Sequence, residues 1–156
     1  MSDYARTTTV TVEASRAEIE KALRRYGATG FSYGWSETRA QVQFEANGRR
    51  IRFALAMPDP NERRFTHTPS RDLRRTRAET EKAYEQATRQ IWRALVLVIK
   101  AKLEAVQSGI VTFEQEFLAH IVMPDGSTVS EYIAPAIESI YEGGQVPPLL
   151  GLPPGR

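Results

Sequence analysis

Nine arginines fall between Arg49 and Arg77 against only Asp59, Glu62 and Asp72, so this stretch carries +6. Guanidinium forks suit phosphates and planar bases. A surface that collects them supplies most of the sequence-independent affinity a protein has for nucleic acid. Within the stretch, Arg50 and Arg52 alternate on a strand, while Arg63, Arg64, Arg71, Arg74, Arg75 and Arg77 crowd a segment with almost no apolar periodicity. Aromatic rings beside such cations offer stacking platforms for unpaired bases. Phe65 lies inside the basic segment; Tyr33 and Trp35, flanked by glycine and serine, fit either stacking or ordinary core, and Phe31 before them reads as core.

A second basic ridge lies further on. Lys82, Arg89, Arg93 and Lys100 fall within about 40° of one another on a helical wheel. Glu131, Glu138 and Glu142 repeat the spacing of Lys82, Arg89 and Arg93 on a later helix, so the two ridges are expected to pair within or between subunits, or the basic one to meet phosphate. From Glu104 to Arg156 there are seven acids and one arginine, which makes the C-terminal third −6. Seventeen of the 21 basic residues are arginine, which coding bias toward GC-rich codons explains as well as phosphate binding does.

The common catalytic patterns are missing. There is no cysteine and no Gly-x-Ser-x-Gly elbow, so a triad or thiolate mechanism lacks its nucleophile. His67 and His120 are 53 residues apart without paired ligand spacing, which makes a weak zinc site. His120, on an apolar helix, reads as a partly buried structural residue. No Gly-x-x-x-x-Gly-Lys loop or dinucleotide fingerprint occurs. Glu114 and Glu116 point apart at i,i+2 spacing, and the strands offer chiefly Glu37 and Glu45. The sequence therefore predicts a non-enzymatic protein with no catalytic residue, metal or cofactor.

The elements that would position these residues are marked by periodicity and turn chemistry. Thr7 to Glu13 alternates β-branched residues and predicts a strand. Ser15 and Glu18 read as a capping box opening a helix with Ile19, Ala22, Leu23 and Tyr26 on one face, ended by Gly27. Phe31, Tyr33 and Trp35 alternate on a second strand. Asn47-Gly48 predicts a type I′ hairpin that sets Phe44 against Ile51, Val42 against Phe53 and Ala40 against Leu55, with Glu45 facing Arg50. Asn61 to Arg77 reads as a loop, with helix beginning near Asp72. The longest element runs from Ala78 to Ser108, with Tyr84, Thr88, Ile91, Trp92, Leu95, Val98, Ile99, Leu103 and Val106 in one stripe. Two short helices follow: one buries Phe113, Phe117 and Ile121, and the other carries Ile133, Ile137 and Ile140 around Pro135.

This order predicts an α+β fold: a four-stranded, mainly antiparallel sheet packed on one long helix, followed by two short helices. It is read as one domain over 1–144 with a Pro/Leu-rich tail over 145–156. The longest apolar run, Ala94 to Ile99, is far short of the ~20 residues of a membrane span. Met1 to Arg6 shows no apolar leader. A cytoplasmic protein without a membrane partner is expected.

Two resemblances add to this. Gln90 to Leu95, Ile99 to Val106, Phe113-Glu114 and Val122 to Gly126 together resemble small uncharacterised phage and prophage proteins. Three antiparallel strands followed by a long helix resemble the core of single-strand annealing recombinases, an order shared in part with double-stranded-RNA-binding domains. The second resemblance implies ring-forming DNA binding. The expected function is thus a phage-encoded, homo-oligomeric protein acting on single-stranded DNA in recombination or replication. The alternatives are a module that binds a host protein or a nucleotide, and a structural or assembly subunit.

Overall fold

The computed structural model describes residues 3–143, so the Pro/Leu-rich tail lies outside the described residues. Its elements run α1 (Asp3–Arg6), α2 (Val12–Tyr26), β1 (Gly30–Trp35), β2 (Arg39–Ala46), β3 (Arg49–Ala56), α3 (Arg63–Thr66), α4 (Arg77–Gln107), α5 (Phe113–Phe117), a 3-10 turn at Leu118–His120, and α6 (Val129–Tyr141). The class is α+β, and the sheet is antiparallel in the order β1-β2-β3.

The hairpin forms as its turn dictates. Asn47 and Gly48 both take positive φ, 51° and 69°, which type I′ requires. Phe44 pairs with Ile51, Val42 with Phe53 and Ala40 with Leu55. The β1 register then places Phe31, Tyr33 and Trp35 beside Phe44, Val42 and Ala40. All of these side chains share one face, and α2 and α4 cover it.

The sheet has three strands rather than the expected four. Thr7 to Glu13 does not join it. Thr11 caps α2 instead, its hydroxyl accepting from the Ala14 amide at 3.1 Å. The carbonyls of Arg6 and Thr8 accept from Gln86 Nε2 at 3.4 and 2.9 Å, and Gln90 Nε2 reaches the Arg6 carbonyl at 2.6 Å. Tertiary hydrogen bonds to α4 thus override the β-propensity of the segment. The place beside β3 goes to Ile121–Val122, which leave the 3-10 turn extended: Ile121 bridges Ile51, and the Val122 amide donates to the Arg50 carbonyl at 2.8 Å. That also ends the predicted α5 stripe at Phe117.

The core closes around Phe117, which is fully buried. Phe44 and Phe53 meet it edge-on at 5.8 and 6.4 Å between ring centroids, and Phe113 lies 4.7 Å away. Ile19 and Leu23 of α2 and Trp92, Leu95, Val96, Ile99 and Leu103 of α4 complete it. Val98, placed in the stripe by its spacing, is exposed, and Val96 is buried in its stead. The stripe therefore lies nearer a 92-95-96-99-103 seam than the sequence suggested.

α4 is 31 residues long, about 46 Å at 1.5 Å per residue. Its start is fixed by a Thr76–Glu79 capping box, not near Asp72, whose φ of 52° falls outside any helix. The basic segment before it is ordered. α3 packs on α4, and Phe65, 4% exposed, meets Tyr84 edge-on at 5.7 Å. His67 and Arg74 form a β-bridge, the Arg75 amide donates to the Thr66 carbonyl at 2.7 Å, and the Thr68 amide donates to the Leu73 carbonyl at 2.8 Å. The segment is a hairpin-like projection rather than a free loop.

Ser15, read from its spacing as an N-cap, is instead buried one turn inside α2. Its hydroxyl finds no hydrogen-bond partner among the described residues. An unpaired buried hydroxyl costs free energy, and alanine is the better helix former. Ser15→Ala is expected to raise unfolding free energy by about 1 kcal/mol in a urea titration; a destabilised variant would show that the hydroxyl has a partner. Phe65→Ala should lower it by about 3 kcal/mol, whereas a solvent-facing base platform would leave it nearly unchanged.

Candidate nucleic-acid interface

Period-two alternation on the strands separates the two halves of the predicted site. Arg52 lies in register with Gln43 and Ser32, so Arg50 and Arg52 occupy the face opposite Tyr33 and Trp35. They cannot form one cation-and-aromatic surface within a single sheet face. Both sheet arginines are also engaged. Arg50 donates from Nε and Nη2 to Glu45 Oε1 at 3.3 and 3.1 Å, and Arg52 Nη2 donates to Glu131 Oε2 at 3.0 Å. Glu131 caps the start of α6 at the same time, and its carboxyl is held below the usual range chiefly by the Thr128 amide, then by the Thr128 hydroxyl and Arg52.

The basic projection keeps its charge. From Arg63 to Arg77 it holds six arginines and one acid, Asp72. Arg63 pairs with Asp72, whose carboxyl it pulls below the usual range. Arg64 pairs with Glu62 at 2.6 Å and lies 4.6 Å from the Phe65 ring centroid. Arg75 donates to the carbonyls of Arg64 and Phe65 at 3.4 and 3.3 Å, which makes it a brace of the projection. Arg77 pairs with Glu81 along α4 at 2.9 Å. The side chains of Arg71 and Arg74 are exposed and have neither ion pair nor hydrogen bond among the described residues. Leu73 stands exposed between them in sequence.

The second ridge does not meet the acidic helix. Arg93 Nη1 and Lys100 Nζ both reach Glu18 of α2, each at 2.5 Å, on its two oxygens. Arg89 turns to Gln86, at 2.6 and 3.1 Å, and lies 4.0 Å from Glu85. Lys82 stays exposed. The spacing of Glu18 from Ser15 suggests a capping carboxylate, but it is the acid that clamps α2 to α4. The clamp follows from a tertiary crossing that no spacing along one helix encodes. A cleft of about 840 Å³ beside it mixes Lys21, Arg25 and Lys100 with Glu18 and Glu104, so it offers no surface of one sign.

Tyr33 is 50% exposed and Trp35 76% exposed, because α2 and α4 cover β1 less toward its end. The Arg16 guanidinium lies 4.3 Å from the Tyr33 centroid and 5.5 Å from that of Trp92, a cation–π arrangement. Nothing in the charge pattern singles out Arg16. Its spacing to Ile19 and Leu23, three and seven residues, had already put it on the inner face of α2. His120 stacks on Phe53 at 4.1 Å. Burial lowers its pKa, Lys102 adds to that, and a hydrogen bond with the Arg52 backbone opposes both.

Among the described residues no group of three or more His, Asp or Glu could hold a metal ion, and no helix is long and apolar enough to cross a membrane. No family model matches the chain, and neither a curated protein nor a solved structure matches it. Neither the phage-protein resemblance nor that to annealing recombinases gains support from these comparisons.

The Glu18 clamp has a pH signature. Hydrogen bonding from Lys100, then from Arg93, lowers the Glu18 pKa, with partial burial opposing it. Its stabilisation is therefore fully present above the ordinary carboxylate pKa and lost as pH falls through the lower folded value. Glu18→Gln should cost about 1–2 kcal/mol near neutrality, with wild type and variant converging in acid. A constant difference across that range, followed by thermal unfolding, would place the stabilisation elsewhere.

Proposed function

We propose that this protein is a non-catalytic nucleic-acid-binding module that grips phosphates with the ordered basic projection. The observation that carries the reading is the state of Arg71 and Arg74: two exposed guanidinium groups without acid partners among the described residues, on a segment held by its own hydrogen bonds. A preformed cationic surface binds with less ordering cost than a mobile one. Arg63, Arg64 and Arg77 flank it, and their exposed carboxylate pairs are weak enough to exchange for phosphate. Such contacts follow the backbone and carry little base preference.

Single-stranded DNA, in recombination or replication, is the ligand class to test first, with duplex DNA and RNA as comparisons. Phe65 takes no part in stacking, since it is buried against Tyr84 of α4. A second reading, a protein-binding or assembly subunit, is favoured by α6. None of its described side chains is buried, and Tyr132, Ile137 and Tyr141 are exposed.

Fluorescence anisotropy with a labelled oligonucleotide across a salt series tests the reading. Affinity should fall as salt rises, with a log–log slope of about −0.7 for each phosphate neutralised on a single strand. Arg71→Ala/Arg74→Ala should weaken binding about 10-fold or more and flatten the slope by about 1.4. Absence of binding at about 50 mM salt would sink the nucleic-acid reading. Unchanged binding by the double variant would remove the projection from it.

A further inference from the structure

We infer that the free edge of β1 pairs with β1 of a second copy of this chain, making one continuous six-stranded sheet across a two-fold axis at Tyr33. The inference is independent of what the basic projection binds.

The two edges of the sheet are treated differently. On β3, the Arg50 carbonyl accepts from the Val122 amide, and Ile51 bridges Ile121. The chain thus covers the first half of its own β3 edge. On β1 the phase of the ladder is set from both sides: the Ser36 amide donates to the Arg39 carbonyl at 2.7 Å, and the two-residue turn pairs Ala46 with Arg49, which leaves the backbone groups of Gln41, Gln43 and Glu45 facing Gly34, Ser32 and Gly30. Alternation then turns the amides and carbonyls of Gly30, Ser32 and Gly34 toward β2 and those of Phe31, Tyr33 and Trp35 outward. Among the described residues nothing bonds the outward set.

An open edge of this kind is usually blunted by lysine, proline or a bulge. β1 reads Gly-Phe-Ser-Tyr-Gly-Trp, without a charge or a proline. A strand that meets its own copy needs to be uncharged, because any charge near the axis would face itself. The glycines point the same way. Gly30 and Gly34 have no positive φ, and a Cβ on either would come no closer than 3.6 Å to any atom beyond its chain neighbours. Their small size is not demanded by the subunit itself, and glycine inside a strand often marks a close backbone approach.

One register satisfies every outward group. Antiparallel pairing of Tyr33 with Tyr33 of the partner subunit sets Phe31 beside Trp35 of the partner subunit, and the reverse. It joins all three outward backbone pairs and brings the exposed aromatic rings together on one face. Each Arg16 over its own Tyr33 carries Glu13 at 3.2 Å, which balances the charge near the axis. The opposite face meets only glycine and serine.

The test uses the absence of cysteine. Tyr33→Cys should form an intermolecular disulfide under mild oxidation, since hydrogen-bonded partners lie ~5.5 Å apart at Cα. Ser32→Cys should not, because it would face its copy only diagonally at roughly 7–8 Å. Light scattering should give the unmodified chain a mass about twice 17.6 kDa. Tyr33→Pro removes an outward amide and the ring at the axis without touching the bonds to β2, and should raise the dimer dissociation constant at least ~10-fold while circular dichroism stays native. A monomeric wild type overturns the inference. So does equal cross-linking at both positions, or a natively folded Tyr33→Pro that dimerises as wild type does; should that variant not fold, the cysteine pair decides.

Discussion

Because successive side chains on a strand point to opposite faces, every residue of this sheet is committed once its first pair is set. The Asn47-Gly48 turn sets that pair, and Phe44 with Ile51 and Val42 with Phe53 then face the helices. The same parity carries across to β1, so Tyr33 and Trp35 are core-side residues that the helices fail to cover. It sends Arg50 and Arg52 to the other face, where Glu45 and Glu131 hold them. One geometric rule thus builds the core and divides the aromatics from the sheet cations. It also decides which backbone groups of β1 are left at the edge.

The length of α4 is the second constraint. Its middle and C-terminal turns close the core with Trp92, Leu95, Ile99 and Leu103, while its N-terminal turns run on beside other partners. There it receives the carbonyls of Arg6 and Thr8 through Gln86 and Gln90, and Phe65 against Tyr84. The basic projection is anchored to this overhang by one buried ring and by its own backbone bonds. Its charge is therefore presented on a stiff support, while a short apolar anchor bears the entropy cost of ordering it. The Glu18 clamp on Arg93 and Lys100 ties α2 to α4 in the same layer.

The elements differ in how well they are satisfied. α2 and α4 each bury a stripe, and the first half of the β3 edge is covered by Ile121–Val122. α6, the β1 edge and the Arg71–Arg74 projection each present chemistry that the described subunit leaves unused. A helix with an apolar face gains little until something packs on it, and an uncharged strand edge is a template for pairing. The projection and the β1 edge are the surfaces that the proposed phosphate binding and the inferred pairing of β1 would use. They lie on different elements, so self-association and ligand binding need not compete for the same side chains.

Local chemistry settled what depends on near neighbours. The α+β class, the hairpin with its register, the glycine stop of α2, most of the α4 stripe and the burial of Phe113 and Phe117 all follow from spacing and turn type. The opposite placement of Tyr33 and Arg52 was already implied by alternation. Only the tertiary structure decided the rest, because each remaining choice was a competition between distant segments. Thr7 to Glu13 has strand propensity, but Ile121–Val122 took the edge of β3 and Gln86 of α4 took the Thr8 carbonyl. Phe65 sits in a run of arginines, and Tyr84, nineteen residues on, buried it. Glu18 has the position of a capping residue, and two cations more than seventy residues away drew it across to α4. Which arginines remain open to a ligand was fixed by where the acids came to rest.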